Sequence, residues 1–252
     1  MYDQVDCFII LEANLTFQNT PKPLFVQESW SRFEKYHSKM IHHTLSVEGA
    51  KFNNTWDREK FSRNAMYDQV VPYLEGPQTP AMGDVILVSD VDEIPRPSTL
   101  TSLRNCKFPK KLSLHCDMYY YSFQWRNRGD WAFPQATYYD GNNTVLPGDL
   151  RLTADSHLYR AAWHCSYCFS TIGEFVKKLN SFSHTEFNRD HIKDTQRILQ
   201  HVRYGIDLYD RQKKQYDRIE DNSDVPEFLK ENKAKYLFVF DRDPENANFV
   251  DL

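Results

Sequence analysis

Apolar residues in this chain fall in short runs that alternate with stretches at helical spacing. Val5 to Leu11 reads as a fully buried strand, and Pro21-Lys22-Pro23 marks the loop after it. Within residues 27–42, Trp30, Phe33, His37, Met40 and Ile41 recur at the spacing of one helical face. Leu45 and Val47 alternate as a short strand. Asp57 is the expected N-cap of a helix that carries Phe61, Ala65, Met66 and Val70 and stops near Pro72. The run from Asp84 to Ser89 has the look of a central parallel strand. Leu112, Leu114, Cys116 and Met118 alternate as a half-buried strand, and residues 126–158 are polar, aromatic and irregular. Ile172, Phe175, Val176 and Leu179 make one helical face. Ile192, Thr195, Leu199 and Val202 make another, closed by Gly205. A last apolar run covers Tyr236 to Phe240.

No repeat or low-complexity linker divides the chain, so residues 1–252 are expected to form a single catalytic-sized domain. Strands alternating with helices predict an α/β fold with a mostly parallel central sheet and helices on both faces. Ligands in such sheets bind beyond the carboxyl ends of the strands, which directs attention to whatever follows Ser89.

Composition narrows the function classes. A net charge of -4 leaves no basic field for a nucleic-acid backbone. Aromatic residues make up 15% of the chain, enough to supply stacking surfaces for sugars or bases as well as a core. No stretch reaches the roughly 18 apolar residues of a membrane helix, and no signal peptide opens the chain. The first strand begins almost at once, which predicts a soluble piece of a longer protein whose anchor lies upstream. Five cysteines leave at least one thiol unpaired. Cys165 and Cys168 have CxxC spacing, but no second pair completes a zinc site, so they read as small residues packed near a strand end. Sequons at Asn14, Asn53 and Asn142 permit a secretory address.

The most specific chemistry lies in Ser89-Asp90-Val91-Asp92-Glu93-Ile94-Pro95. Three carboxylates in four residues repel one another and raise each other's pKa, a penalty that a divalent cation removes. Side chains repeat every two residues along a strand, so Asp90 and Asp92 are expected to point the same way. Hard oxygen donors of this kind suit Mg²⁺ or Mn²⁺ and leave positions open for water and phosphates.

Asp-x-Asp after a Val-Ile-Leu-Val strand resembles the metal and nucleotide motif of GT-A-fold glycosyltransferases, and Ser89 to Pro95 looks like family 17 in particular. Phe8 to Phe17 with Pro21-Lys22-Pro23 resembles that family's first strand and loop. Trp163 to Phe169 resembles its Trp-His motif, and Ser181 to Asn188 is similar to a later His-x-Glu segment. The four matches run in order from about residue 3 to about residue 240.

The resemblance implies an inverting transfer of N-acetylglucosamine from a nucleotide-sugar donor, UDP-N-acetylglucosamine, to a glycan acceptor such as the β-linked mannose of an N-glycan. It also implies a Golgi or secretory-pathway lumen address, with the full-length protein a type II membrane protein. Mn²⁺ or Mg²⁺ would bridge Asp92 and Asp90 to the donor phosphates, with His184 or His164 as a late ligand. Glu93 would orient the site or cap a helix. Glu12 and Asn14, at the end of the first strand, and Arg63 and Asn64, in the second helical stretch, are candidates for donor contact, with an arginine there able to reach either the nucleotide or the Asp-x-Asp loop. Trp163 is a candidate for stacking on a sugar. An inverting transfer needs a base for the acceptor hydroxyl. Glu186 is the first candidate, ahead of His164, Asp155 and Asp130. Tyr119 to Tyr121, Trp125 and Trp131 form a candidate acceptor platform.

Two other classes compete. A phosphatase of the HAD type also opens on Asp-x-Asp after a buried strand, but Ile94-Pro95 fits poorly where it places Thr or Val. A non-catalytic carbohydrate-binding module would use the aromatics but has no need of three clustered carboxylates.

Overall fold

The computed structural model describes residues 1–252. Strand β1 (Phe8–Glu12) pairs in parallel with β2 (Met40–Thr44) as a two-stranded sheet of its own. Between them the short helix α1 (Phe25–Glu28) runs into tight 3-10 turns over Trp30–Lys39. The expected helix over 27–42 is therefore absent, and Met40 and Ile41 belong to β2. Helix α2 (Thr55–Asp68) follows, capped by Asn54, whose Oδ1 accepts from the Asp57 amide at 2.9 Å; Asp57 itself lies in the first turn.

The remaining strands form one seven-stranded sheet. In chain order these are β3 (Val85–Val88), β4 (Glu93–Pro95), β5 (Leu112–Tyr120), β6 (Ser122–Asn127), β7 (Gln135–Tyr138), β8 (Ser156–Ser166) and β9 (Tyr216–Arg218). Helices α3 (Pro97–Asn105), α4 (Pro147–Leu150), α5 (Ile172–Leu179), α6 (Thr195–Tyr204) and α7 (Glu227–Glu231) complete the chain. Only β5 and β8 run parallel in this sheet; every other pairing is antiparallel.

The mostly parallel sheet expected from the sequence is thus corrected to a mixed, mainly antiparallel one. β3, read as a central strand, stands at the end of the strand order beside β7, and Val85 is exposed. Four consecutive apolar residues do not distinguish a strand covered on both faces from one at a sheet margin. The antiparallel turn between β5 and β6 is a single buried residue, Tyr121, at φ 68°, with its hydroxyl donating to the Ile206 carbonyl at 2.8 Å. No pattern of apolar spacing announces so tight a reversal.

Both faces of the sheet centre are covered. Met118, Tyr120 and Trp125 pack with Phe175, Leu179, Ile198 and Val202 of α5 and α6. On the other face Tyr119, Phe123 and Trp163 pack with Val225 and Val239. All nine residues of β5 are consequently buried, not the alternate ones. The acceptor platform falls with that reading: Tyr119, Tyr120, Tyr121 and Trp125 are core residues.

Local signals near α5 and α6 do match the chain. Thr171 and Glu174 close a reciprocal capping box on α5, and Gly205 ends α6 at φ 61°. Cys165 and Cys168 are joined in a disulfide, so the reading of two merely packed thiols is corrected. Arg242 is wholly buried, and its guanidinium donates to the carbonyls of Tyr121 (3.0 Å), Phe169 (2.6 Å) and Ala247 (2.9 Å). Burial with no carboxylate bound to the guanidinium pulls its pKa down to about 9. No helix is long and apolar enough to cross a membrane.

Candidate functional site

The carboxylate segment is a turn between β3 and β4. The Asp90 amide donates to Glu93 Oε2 at 2.8 Å, and the Glu93 amide returns a bond to the Asp90 carbonyl at 3.0 Å. The Asp92 carbonyl accepts from the Cys165 amide, which ties the turn to the end of β8. With its backbone fixed on both sides, the turn projects its acids into a bed of cations.

Asp90 lies between two arginines. Its Oδ1 is 2.8 Å from Arg63 Nη2, and its Oδ2 is 2.6 Å from Arg151 Nη2. Arg63 is itself held by Glu59 at 3.1 Å, and Glu59 in turn accepts from the Ser183 hydroxyl. Burial would weaken the Arg63 charge, but Asp90 and Glu59 together hold its pKa above the ordinary value.

Asp92 has different partners. Its Oδ2 is 3.1 Å from Lys178 Nζ on α5 and 3.5 Å from His164 Nε2 on β8. Burial alone would raise its pKa, but the His164 contact and the Lys178 charge hold it well below the usual carboxylate range. Glu93 is 2% exposed, and burial followed by the Asp90 charge pushes its pKa up against the pull of Arg151 and Trp131. Its Oε1 accepts from Trp131 Nε1 at 2.7 Å, and the Trp131 ring lies 4.3 Å from the His164 ring. The result is one continuous network: Glu59, Arg63, Asp90, Arg151, Glu93, Trp131, His164, Asp92 and Lys178.

The network changes the expected roles of several residues. Asp90 and Asp92 were read as pointing together; instead one faces α2 and the segment after α4, the other faces α5 and β8. Val91 between them is fully exposed, as at the apex of a turn. Strand alternation does not apply, because β3 stops at Val88. The expected histidine ligand His184 is also not in this network. Its Nδ1 is 2.7 Å from Glu186 Oε1, and Trp56, Phe182 and Phe187 surround its ring. That hydrogen bond, on an exposed segment, lowers the Glu186 pKa.

Other expected contacts resolve into supporting structure. Glu12 accepts from the amides of Val26 (2.9 Å) and Gln27 (3.0 Å) and from His42 (2.9 Å), so both its oxygens are engaged in capping α1. Asn14 is exposed at the turn after β1. Asn64 Oδ1 accepts from the Gly148 amide at 2.7 Å and so fixes α4, the element that leads to Arg151. Trp163 faces the opposite side of β8 from His164. Its Nε1 donates to Asp224 at 3.1 Å, and the Arg96 guanidinium covers its ring at 4.1 Å, so it is core and not a sugar platform for this site. Asp130 pairs with His115 at 2.6 Å.

Arg151 and Lys178 were not singled out in the sequence. Arg151 sits in an irregular polar stretch with no motif. Lys178 lies in the last turn of α5, where a basic residue is expected at a helix terminus in any case.

The acid turn fits a divalent cation in part. Asp92 Oδ1 takes no bond from the protein and is a hard oxygen donor of the right kind. Asp90 would reach the same ion only by releasing one of its arginines. No group of three His, Cys, Asp or Glu side chains converges as a metal cage, so any ion here would keep water or donor oxygens in most positions.

The turn of acids and cations after β3 is backed by the buried His164, and comparison with known proteins defines the class of the chain. The model of Glycosyltransferase family 17 matches residues 1–243, and the chain belongs to that family. It is similar to the β-1,4-mannosyl-glycoprotein 4-β-N-acetylglucosaminyltransferases of Homo sapiens and Rattus norvegicus. The human enzyme is 23% identical over 275 residues, covering 95% of this chain and 51% of its own length. The rat enzyme is 23% identical over 284 residues, covering 97% of this chain and 52% of its own. The chain thus spans about half the length of these relatives. No solved structure matches.

Proposed function

We propose that this protein transfers N-acetylglucosamine from UDP-N-acetylglucosamine to a glycan acceptor, with inversion, at the turn Asp90–Glu93. The observation that carries the reading is the junction at Asp92, where an ionised carboxylate with one free oxygen lies beside Lys178 and His164 and two residues from the Arg63–Asp90–Arg151 bridge. Family membership and the names of the relatives support the sugar and the acceptor class, a β-linked mannose of an N-glycan. A GT-A-type frame is part of the proposal, with the sheet mixed in direction.

In this reading Asp92, with Asp90 as second candidate, would hold Mn²⁺ or Mg²⁺, which would supply charge neutralisation for the UDP leaving group. The chain's own cations do the same work from fixed positions. Lys178 and Arg151 would offer positive charge to the diphosphate as its negative charge grows, and preorganised charge of this kind costs no rearrangement at the moment of reaction. His164 and Glu93 hold Asp92 and the turn in register from behind, a supporting layer that sets ligand direction. Glu186, kept ionised by its bond from His184, is the proposed base for the acceptor hydroxyl. The Cys165–Cys168 disulfide supports an oxidising compartment such as the secretory-pathway lumen.

The test is a screen of UDP- and GDP-sugars with Mn²⁺, read as donor hydrolysis and as thermal stabilisation by UDP. UDP-N-acetylglucosamine is expected to be turned over, and Asp92→Ala to abolish both signals with the circular dichroism spectrum unchanged. Normal turnover in that variant would overturn the assignment.

A further inference from the structure

Away from the acid turn, β8 carries an irregularity that the transfer reaction does not use. Leu114 of β5 registers with Leu158 of β8, but Cys116 registers with Ala162, so His115 alone faces Tyr159, Arg160 and Ala161. The extra residues bulge outward. Arg160 takes a left-handed conformation at φ 52°, and Tyr159 and Arg160 are both exposed. Left-handed backbone at a non-glycine residue costs on the order of 1 kcal/mol, and it recurs where local structure serves a site.

Beneath the bulge three side chains line up. Asp130 Oδ2 is 2.6 Å from His115 Nδ1, and His115 Nε2 is 2.8 Å from His157 Nδ1. His115 is 5% exposed, while His157 stands at the surface. Asp130 and His115 line a cavity of about 450 Å³, in which Asp117 and Asp217 are matched by Arg126, Arg128 and Arg160, while His157 lies outside it. His115 shares the Asp117 face of β5; Met118, beside His164, lies on the other, so this is not the face of the acid turn.

We propose that His115 Nε2 and His157 Nδ1 form a nitrogen-donor site for a borderline divalent transition-metal ion, of the Zn²⁺, Ni²⁺ or Cu²⁺ class. The two imidazole nitrogens face each other across a 2.8 Å hydrogen bond, and an ion replacing its proton would need them to part by about half an ångström to sit at the roughly 2.0–2.1 Å typical of metal–imidazole bonds. Asp130 Oδ2, 2.6 Å from His115 Nδ1, supplies a neighbouring carboxylate of the kind that accompanies such ligands: its charge favours a proton on Nδ1 and so leaves Nε2 as the ligand atom. Imidazole pairs favour these ions over Mg²⁺, Ca²⁺ or Mn²⁺. With two protein ligands, the remaining positions belong to water. The bulge explains the arrangement, because a regular β8 would register residue 159 with His115 and leave no room beneath Tyr159.

The inference stands apart from the transfer reaction, and its test is binding alone. Zn²⁺ is titrated by calorimetry into the full chain carrying no histidine tag, at neutral pH, with Mn²⁺ as the control ion. One saturating Zn²⁺ event is expected, lost in His157→Gln and weakened ten- to a hundredfold in Asp130→Asn. Both substitutions lie at exposed positions, so circular dichroism should be unchanged. Zn²⁺ binding of equal strength in His157→Gln, no Zn²⁺ binding in the parent chain, or a Mn²⁺ event that is likewise lost in His157→Gln would each overturn the proposal.

Discussion

Trp131 Nε1 donates to Glu93 Oε1 at 2.7 Å while its ring rests against His164, so a single tryptophan supports two of the turn's three acids, Glu93 directly and Asp92 through the imidazole. Glu93 is buried and its pKa is already raised by burial and by Asp90. Removing the indole donor should raise it further.

Trp131→Phe keeps the ring against His164 and deletes only the N–H. The unsatisfied carboxylate oxygen should cost about 1–3 kcal/mol of stability. If the turn is the donor site, turnover should fall roughly tenfold or more, as it does when the outer support of a metal ligand is lost. Urea unfolding and donor-hydrolysis rates check the two effects separately. Unchanged values for both would mean that the bond does not hold the turn.

Lys178→Met tests the electrostatics at Asp92 through pH. Asp92 has a depressed pKa in the folded chain, so its ionisation contributes stability above the unfolded carboxylate pKa of about 3.9, and that contribution is lost as pH falls towards the folded value. Without the Lys178 charge the folded pKa rises towards the unfolded one and the contribution shrinks. The acid-unfolding midpoint should therefore move to higher pH, as followed by circular dichroism.

Gly205→Ala is expected to destabilise strongly. Gly205 ends α6 at φ 61°, and a Cβ there would lie 2.4 Å from the ring of Trp125. The left-handed backbone costs an alanine about 1–2 kcal/mol. Forcing a buried indole aside adds roughly 1–3 kcal/mol. A thermal melt checks it.

The sequence and the structure part company for physical reasons that can be traced to particular residues. The helices α5 and α6 were legible from their apolar faces, Ile172 to Leu179 and Ile192 to Val202, and the end of α6 from Gly205, because capping is local chemistry. The strand at Val85–Val88 was legible as a strand but not as a marginal antiparallel one, since its direction is set by β7, fifty residues on. The stretch from Trp30 to Lys39 has helical spacing yet lies in 3-10 turns, so tertiary context overrides the pattern there. At the site, Asp90 and Asp92 stood out because acids crowd together in sequence. Arg151 and Lys178 did not, because the cations that balance them arrive from sixty and eighty residues away. Glu12 and Trp163 were drawn into the donor site by their place in motifs, whereas the structure uses them to cap α1 and to fill the core.

Gly148→Ala probes the same balance from outside. A Cβ at Gly148 would sit 2.7 Å from Asn64 Oδ1 and 2.9 Å from Lys60 Cγ, both on α2. The substitution should push α4 away from α2, cost about 1–3 kcal/mol, and loosen Arg151 from Asp90. A rise in the apparent Mn²⁺ affinity, with reduced stability, is the expected outcome if Arg151 competes with the ion for Asp90. Calorimetry on the variant decides it.

Neighbouring residues on one turn of α2 grip both sides of that balance: Arg63 holds Asp90 itself, and Asn64 holds the segment that delivers the opposing arginine. The helix works as the fixed jaw of a caliper. Its spacing, not the strength of either ion pair, sets how wide the gap around the acid can open, and a lever that tilts α2 from its exposed end at Trp56 would change both contacts in the same stroke.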